Sequence, residues 1–338
     1  MQNNFKFLTI ALIVLAVISY FVLQNNRIHN TAEAQLLVPE LKNLINEVDG
    51  IEIKKNDKSI DLTKLDGIWR IEQADGYMAD TNKIANLLLN LRKFTLKEKK
   101  THNPDNYHRL GLAQSGEGAA TLIKLKNADS QFADISIGKQ AQMSQGTYVR
   151  KNSDPQTWLS QGELNLDLDS SNWIVSSILD IESNNIKSVS FSPSESASFN
   201  INKLTPDDQN FVLENVPQDM QIKADADING LAGGLHKLSI ESVSKMNDTI
   251  GAQKINTITY QLFSGMTYQL GLYSKDDQKL LTVQLQNIND DAQFDKQLEN
   301  WLFVIPQYKF EALNKSLDQL IEIKSEEITE TSDVAAKK

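Results

Sequence analysis

The sequence predicts an α+β protein: an N-terminal transmembrane helix, then two similar modules, each an antiparallel sheet with a packed amphipathic helix. Three observations predict it. The run "FLTIALIVLAVISYFVL", Phe7 to Leu23, carries no charge. A pattern of short strands, an aspartate-led apolar helix face and longer alternating strands occurs twice. The composition, 40% hydrophobic and 23% charged over 338 residues, is that of a chain with enough apolar surface for two packed cores.

Residues 1–35 read as membrane anchor and linker. At 1.5 Å per helical residue the Phe7–Leu23 run reaches roughly 25 Å, near the short end of what spans a bilayer core. Tyr20 and Phe21 close it, where interfacial aromatics are common. The Ala32-x-Ala34 pattern resembles a signal-peptidase site but lies too far beyond the apolar run, which is itself longer than a signal core. An uncleaved anchor is expected. Lys6 precedes the span and Arg27 follows it, so charge gives only a slight orientation preference. A short N-terminus before a large body favours a single-pass inner-membrane protein with its body in the periplasm.

The first module, residues 36–175, opens with "GIEIKKNDKSIDLTKLDGIWRIEQ": three alternating strands separated by Asn-Asp and Asp-Gly turns. In "DGYMADTNKIANLLLNLRKF", Asp80 stands at an N-cap position ahead of Ile84, Leu87, Leu88 and Leu91, one face of a helix. The strands "TLIKLKN", "FADISIGK" and "GTYVRKN" follow, and the module closes near Trp173.

The second module, residues 176–321, repeats the plan. "IKSVSFSPSESASFNINKLTPDDQNFVLEN" supplies three short strands, and Asp227 leads a helix bearing Leu231, Leu235 and Leu238. The strands "NTITYQLF", "TYQLGLYS" and "LLTVQLQN" come next, with Trp301 near the close. A last helix over "YKFEALNKSLDQLI" would place Phe310, Leu313, Leu317 and Leu320 on one face. Residues 322–338 lack apolar periodicity and read as a disordered tail.

Charge and cysteine usage exclude several functions. The net charge is −10, and residues 1–30 hold two bases and no acid, so the body is more acidic still. A body of that sign repels nucleic-acid phosphate. With no cysteine there are no disulfides, thiolate nucleophiles, thiolate metal sites or lipid-modified N-terminal cysteine.

The anchor, "GIWRIEQADGYMADTNKIANLLLNLRKF", "NPDNYHRLGL", "GTYVRKNSDPQTWL" and "WLFVIPQYKFEAL" together resemble the bacterial family called domain of unknown function 4340, over about residues 36 to 321. The resemblance implies an auxiliary part of a gliding-motility-type ABC transport system, beside an ABC-2-type permease and its partners. The family offers no catalytic residues to carry over. The chain has no GxxxxGK[ST] loop with which to bind a nucleotide itself.

Four sharper motifs have plainer readings. "DADING", Asp225 to Gly230, matches the first half of a calcium loop, but the twelfth position is His236 where a bidentate glutamate is needed. A helix start is the expectation. His102 and His108 in "THNPDNYHRLGL" lack a third metal ligand; Pro104 and Gly111 there delimit a short helical turn, with Tyr107, Leu110 and Leu112 packing inward. Glu163, Asp167 and Asp169 alternate with leucines as on a half-solvated strand, although paired carboxylates also suit glycan chemistry. Trp69, Trp158, Trp173 and Trp301 fit buried packing better than a sugar platform.

The functional expectation is a non-enzymatic, membrane-anchored periplasmic accessory or binding module of an ABC-type (ABC-2-like) transporter assembly. Its partners are the inner membrane, through one helix, and permease or auxiliary subunits. No catalytic residue, cofactor or metal is assigned. The rival is an envelope polysaccharide-binding protein or glycan-active enzyme.

Overall fold

The computed structural model describes residues 35–128, 130–142, 145–164, 166–249, 251–287 and 295–324. The expected anchor at Phe7–Leu23 and residues 325–338 of the expected tail lie outside them. Among the described residues no helix is long and apolar enough to cross a membrane. The body is α+β with antiparallel sheets.

Two compact units are present. Within the described residues the first comprises 35–70 and Thr81–Asp169; the second comprises Ile71–Asp80 and 170–324. The sequence reading placed the boundary after residue 175 and kept 71–80 in the first module. The cause of the difference is visible in Tyr77, whose ring is fully buried edge-on against Trp301 and Phe303 of the second unit. Around it the Val175 N–H donates to the Met78 carbonyl at 3.0 Å, and the Asp80 N–H to the Trp173 carbonyl at 2.7 Å.

In the first unit a single-turn α1 (Leu41–Leu44) precedes the meander β1 (Gly50–Lys55), β2 (Lys58–Leu65) and β3 (Ile68–Ile71). Asn56 and Asp66 take left-handed φ values of 51° and 50° at the two turns, the conformation that asparagine, aspartate and glycine tolerate best. The short β4 (Tyr77–Met78) belongs to the second unit. Then come α2 (Thr81–Lys93), β5 (Thr95–Lys99), β6 (Thr121–Lys126), β7 (Gln131–Gln140), β8 (Thr147–Lys151) and β9 (Thr157–Gln161). The helix starts directly after Asp80 and buries Ile84, Leu87, Leu88 and Leu91, the face its spacing predicts. Across the unit's sheet the strands run β3-β2-β1-β6-β7-β8-β9-β5. Alternation in β1 buries Ile51 and Ile53 and leaves Lys54 and Lys55 in water.

The second unit contains β10 (Ser177–Leu179), β11 (Ile186–Pro193), β12 (Phe199–Asn202), β13 (Val212–Leu213), β14 (Met220–Ile222) and α3 (Ile228–Ala232). They are followed by β15 (Leu238–Ser239), β16 (Ser242–Lys245), β17 (Gln253–Leu262), β18 (Thr267–Lys275), β19 (Gln278–Gln286), β20 (Trp301–Val304), α4 (Gln307–Leu313) and β21 (Ile321–Ile323). Its main sheet runs β13-β12-β11-β17-β18-β19-β20-β16, while β10 with β15 and β14 with β21 form two-stranded ribbons. Phe191 and Phe199, cross-strand partners on β11 and β12, stack at 4.6 Å in its core.

The two main sheets share one chain order. Each has a three-strand meander, then a helix, then an edge strand, then a four-strand meander whose last member pairs with that edge strand. Side chains repeat the match. Lys99 on β5 lies over its cross-strand partner Trp158 at 5.4 Å, and Lys245 on β16 over its partner Trp301 at 5.8 Å. Sheet position therefore matches Trp301 with Trp158, and the pairing with Trp173 expected from the sequence is corrected: Trp173 lies outside the first unit altogether.

Three other expectations change. The helix after Asp227 ends at Ala232, continues as a 3₁₀ turn over Gly233–Leu235, and leaves Leu238 to β15. Two consecutive glycines, each costing a helix about 1 kcal/mol relative to alanine, account for the early stop. Gly234 lets this turn approach β17, since a Cβ there would sit 2.1 Å from the Tyr260 hydroxyl. Gly233 has no such neighbour. The last helix ends at Leu313, and a capping box of Ser316 and Gln319 starts a separate 3₁₀ turn over Leu317–Gln319. Glu322 and Ile323, assigned to the disordered tail, are paired in β21 with β14.

Candidate functional site

Between β5 and β6 the first unit carries residues 100–120, where the second unit crosses from β16 to β17 with only 246–252. The longer connection folds back on the sheet in steps that its sequence explains. Thr101 is tied to Thr157 by backbone and hydroxyl bonds of 2.7 to 3.0 Å. The Asn103 side chain accepts the Asp105 N–H at 3.1 Å and caps a 3₁₀ helix over Pro104–Leu110, with proline at its first turn. Gly111, at φ 70°, ends it, and the Leu112 N–H donates to the Tyr107 carbonyl at 2.9 Å.

Glycine then permits close approach. A Cβ on Gly118 would lie 2.5 Å from the His108 carbonyl oxygen, and one on Gly138 of β7 would lie 2.4 Å from that of Leu110. The segment thus rests backbone-to-backbone on itself and on the sheet. Beneath it Tyr107, Leu112 and Ala120 form a small core with Leu110, Leu122 and Tyr148 at its margin.

One cleft, about 540 Å³, opens between this segment and the loop after β8, with Pro104 and Tyr107 on one side and Arg150, Asn152, Ser153 and Pro155 on the other. The Tyr107 hydroxyl donates to the Pro155 carbonyl at 2.6 Å, and the Arg150 guanidinium lies over the Tyr107 ring at 5.0 Å. Two stretches distant in sequence, "NPDNYHRLGL" and "GTYVRKNSDPQTWL", therefore meet here. The loop is braced independently: Asn152 donates its amide to Asp134 and accepts the Ser136 hydroxyl at 2.6 Å, while Asp154 accepts the Gln156 N–H at 2.9 Å. These acids serve structural hydrogen bonds.

Arg150 itself is sparingly bonded. Nη1 reaches the Asp154 carbonyl at a long 3.5 Å, and Nε is buried without an acceptor. A second cleft, about 500 Å³, lies along the same segment, with Lys55, His108, Glu117 and Lys139 among its lining residues.

The residues singled out from sequence fall elsewhere or take plainer parts. His108 borders the second cleft and His102 is exposed; among the described residues no group of three potential ligands gathers a metal. Asp227 accepts the Gly230 N–H at 2.8 Å as the N-cap of α3, and a Cβ on Gly230 would press on the capping carboxylate. His236 lies 2.9 Å from Asp180 through Nδ1. Glu163, Asp167 and Asp169 are exposed beyond β9, where Asp167 accepts the Asp169 N–H at 2.9 Å; the described residues of this stretch form an irregular connection in place of the expected strand. Trp69 and Trp173 are buried; Trp158 and Trp301 are half-buried beneath lysines.

Tyr107 was expected to pack inward, and it does. Its pairing with Arg150 was not foreseen. Alternation in "TYVRK" buries Thr147 and Val149 and turns Tyr148 and Arg150 to the opposite face, and an aromatic on that face signals that something must cover it.

A family model described as "Domain of unknown function (DUF4340)" matches residues 69–262, from β3 to the end of β17. No curated protein and no solved structure matches.

Proposed function

The chain belongs to the DUF4340 family, and on that footing we propose that it is a non-enzymatic accessory module, anchored in the inner membrane by Phe7–Leu23, with a periplasmic body that binds an ABC-2-like transporter assembly. Its body consists of two copies of one sheet-and-helix unit, a reading supported by the common strand order and the repeated Lys–Trp pair. The observation that carries the binding role is the cleft of the first unit. An arginine seated on a tyrosine face, beside amide and hydroxyl groups, is equipped to hold a ligand rather than to move protons. The extra connection that builds it is a feature of one unit and not of the other.

Crosslinking the full chain in native membranes, followed by identification of what travels with it, tests the proposal. Recovery of a permease or ATPase subunit is the expected result. Recovery of envelope glycan without any integral membrane protein would overturn it.

A further inference from the structure

We propose that the Tyr107–Arg150 cleft binds the carboxylate or phosphate group of an anionic ligand, with Arg150 as its anchor. The inference deepens the binding-module reading and rests on it.

Acids outnumber bases by 44 to 34 in this chain, yet Arg150 has no carboxylate partner among the described residues. Asp154 and Asp134, which brace the loop after β8, accept from the Gln156 N–H and from Asn152 and form no ion pair with Arg150. With Nε buried and Nη1 only weakly engaged, the unspent capacity of the guanidinium is in its two Nη groups. That planar pair matches a carboxylate or phosphate edge better than an ammonium does.

The guanidinium is also held in place before any ligand arrives. Contact with the Tyr107 face orients it, and Tyr107 is fixed in turn by its 2.6 Å bond to Pro155 and by Leu112 and Ala120. Such preorganisation lowers the ordering cost of binding. Gln114 and Ser153, both exposed, line the same cleft and add neutral donors. Lys55 and Lys139 border the neighbouring cleft with a single acid, Glu117, which leaves a small positive excess there in an otherwise acidic body. The cleft volume, about 540 Å³, lies within the range of small-ligand sites.

The test is calorimetric titration of the detergent-solubilised full-length chain with three probes: inorganic phosphate, galacturonate and a short-chain phosphatidylglycerol. Saturable binding of a free anion is expected if the group is soluble, and of the lipid alone if it is a headgroup. Arg150→Gln should abolish binding, and Arg150→Lys, which keeps the charge but not the fork, should weaken it about tenfold or more. Lys187→Gln, an exposed site in the second unit, should leave it unchanged. Thermal melts report whether each variant folds, and the lysine variant carries the test if the glutamine variant does not. Binding undiminished in a folded Arg150 variant, or no saturable binding of any probe to the native chain, overturns the proposal. No partner protein is present, so this result is independent of the crosslinking outcome.

Discussion

Tyr77 concentrates the residue-scale physics of the second unit. Its ring is buried against Trp301 at 5.0 Å and Phe303 at 5.9 Å, both edge-on, and its hydroxyl has no hydrogen-bond partner among the described residues. Aromatic burial is the gain and the orphaned hydroxyl the cost. Tyr77→Phe should therefore leave the midpoint of denaturant unfolding unchanged or raise it, whereas Tyr77→Ala should cost about 3–5 kcal/mol. Burial also pushes the hydroxyls of Tyr77, Tyr260 and Tyr268 well above the usual tyrosine range, and Asp295, bonded to Tyr268 at 2.5 Å, adds to the effect there. These groups stay protonated in the fold but ionise in the unfolded chain above about pH 10. The unfolded state then binds fewer protons, so stability is complete below that pH and declines as pH rises. Urea titrations from pH 8 to 11 should show the decline, reduced in Tyr77→Phe.

At the scale of elements, backbone approach decides what a segment can become. Gly118 sits at φ 75° with no room for a Cβ beside the His108 carbonyl, so Gly118→Ala should cost on the order of 1–3 kcal/mol and loosen the Pro104–Leu110 segment. Amide exchange at Gly111 and Leu112, whose N–H groups close that segment, should accelerate in the variant while exchange in β17 and β18 stays unchanged. Asp227→Ala should cost about 0.5–2 kcal/mol as the loss of a cap, and melts with calcium and with chelator should coincide. The strands were legible because alternation is a local property: "TLIKLK" and "NTITYQL" announce their buried faces directly. The length of α3 is partly legible: leucine spacing suggests a helix to Leu238, while the Gly233-Gly234 pair marks where it stops. The Tyr107–Arg150 contact was not legible, because nothing near either residue encodes which connection will lie over β8.

One strand order occurs in both units, and each adds elements of its own: the long connection over residues 100–120 in the first, and two ribbons and α4 in the second. Three-strand meander, helix, edge strand and four-strand meander recur in the same spatial order. The common strand order follows the repeated sequence pattern, and cross-strand register matches Trp301 with Trp158 and not with Trp173. The connection over residues 100–120 contributes to the walls of both clefts described above, and the proposed binding role rests on it. The role depends on where that unit is displayed. Because the chain has no cysteine, a single one introduced at Leu204, 87% exposed after β12, gives a label with no background. In intact cells a membrane-impermeant maleimide should modify Leu204→Cys, and the labelled chain should remain with the membranes after an alkaline wash. Labelling that appears only after lysis, or release of the labelled chain by the wash, would contradict an anchored periplasmic body.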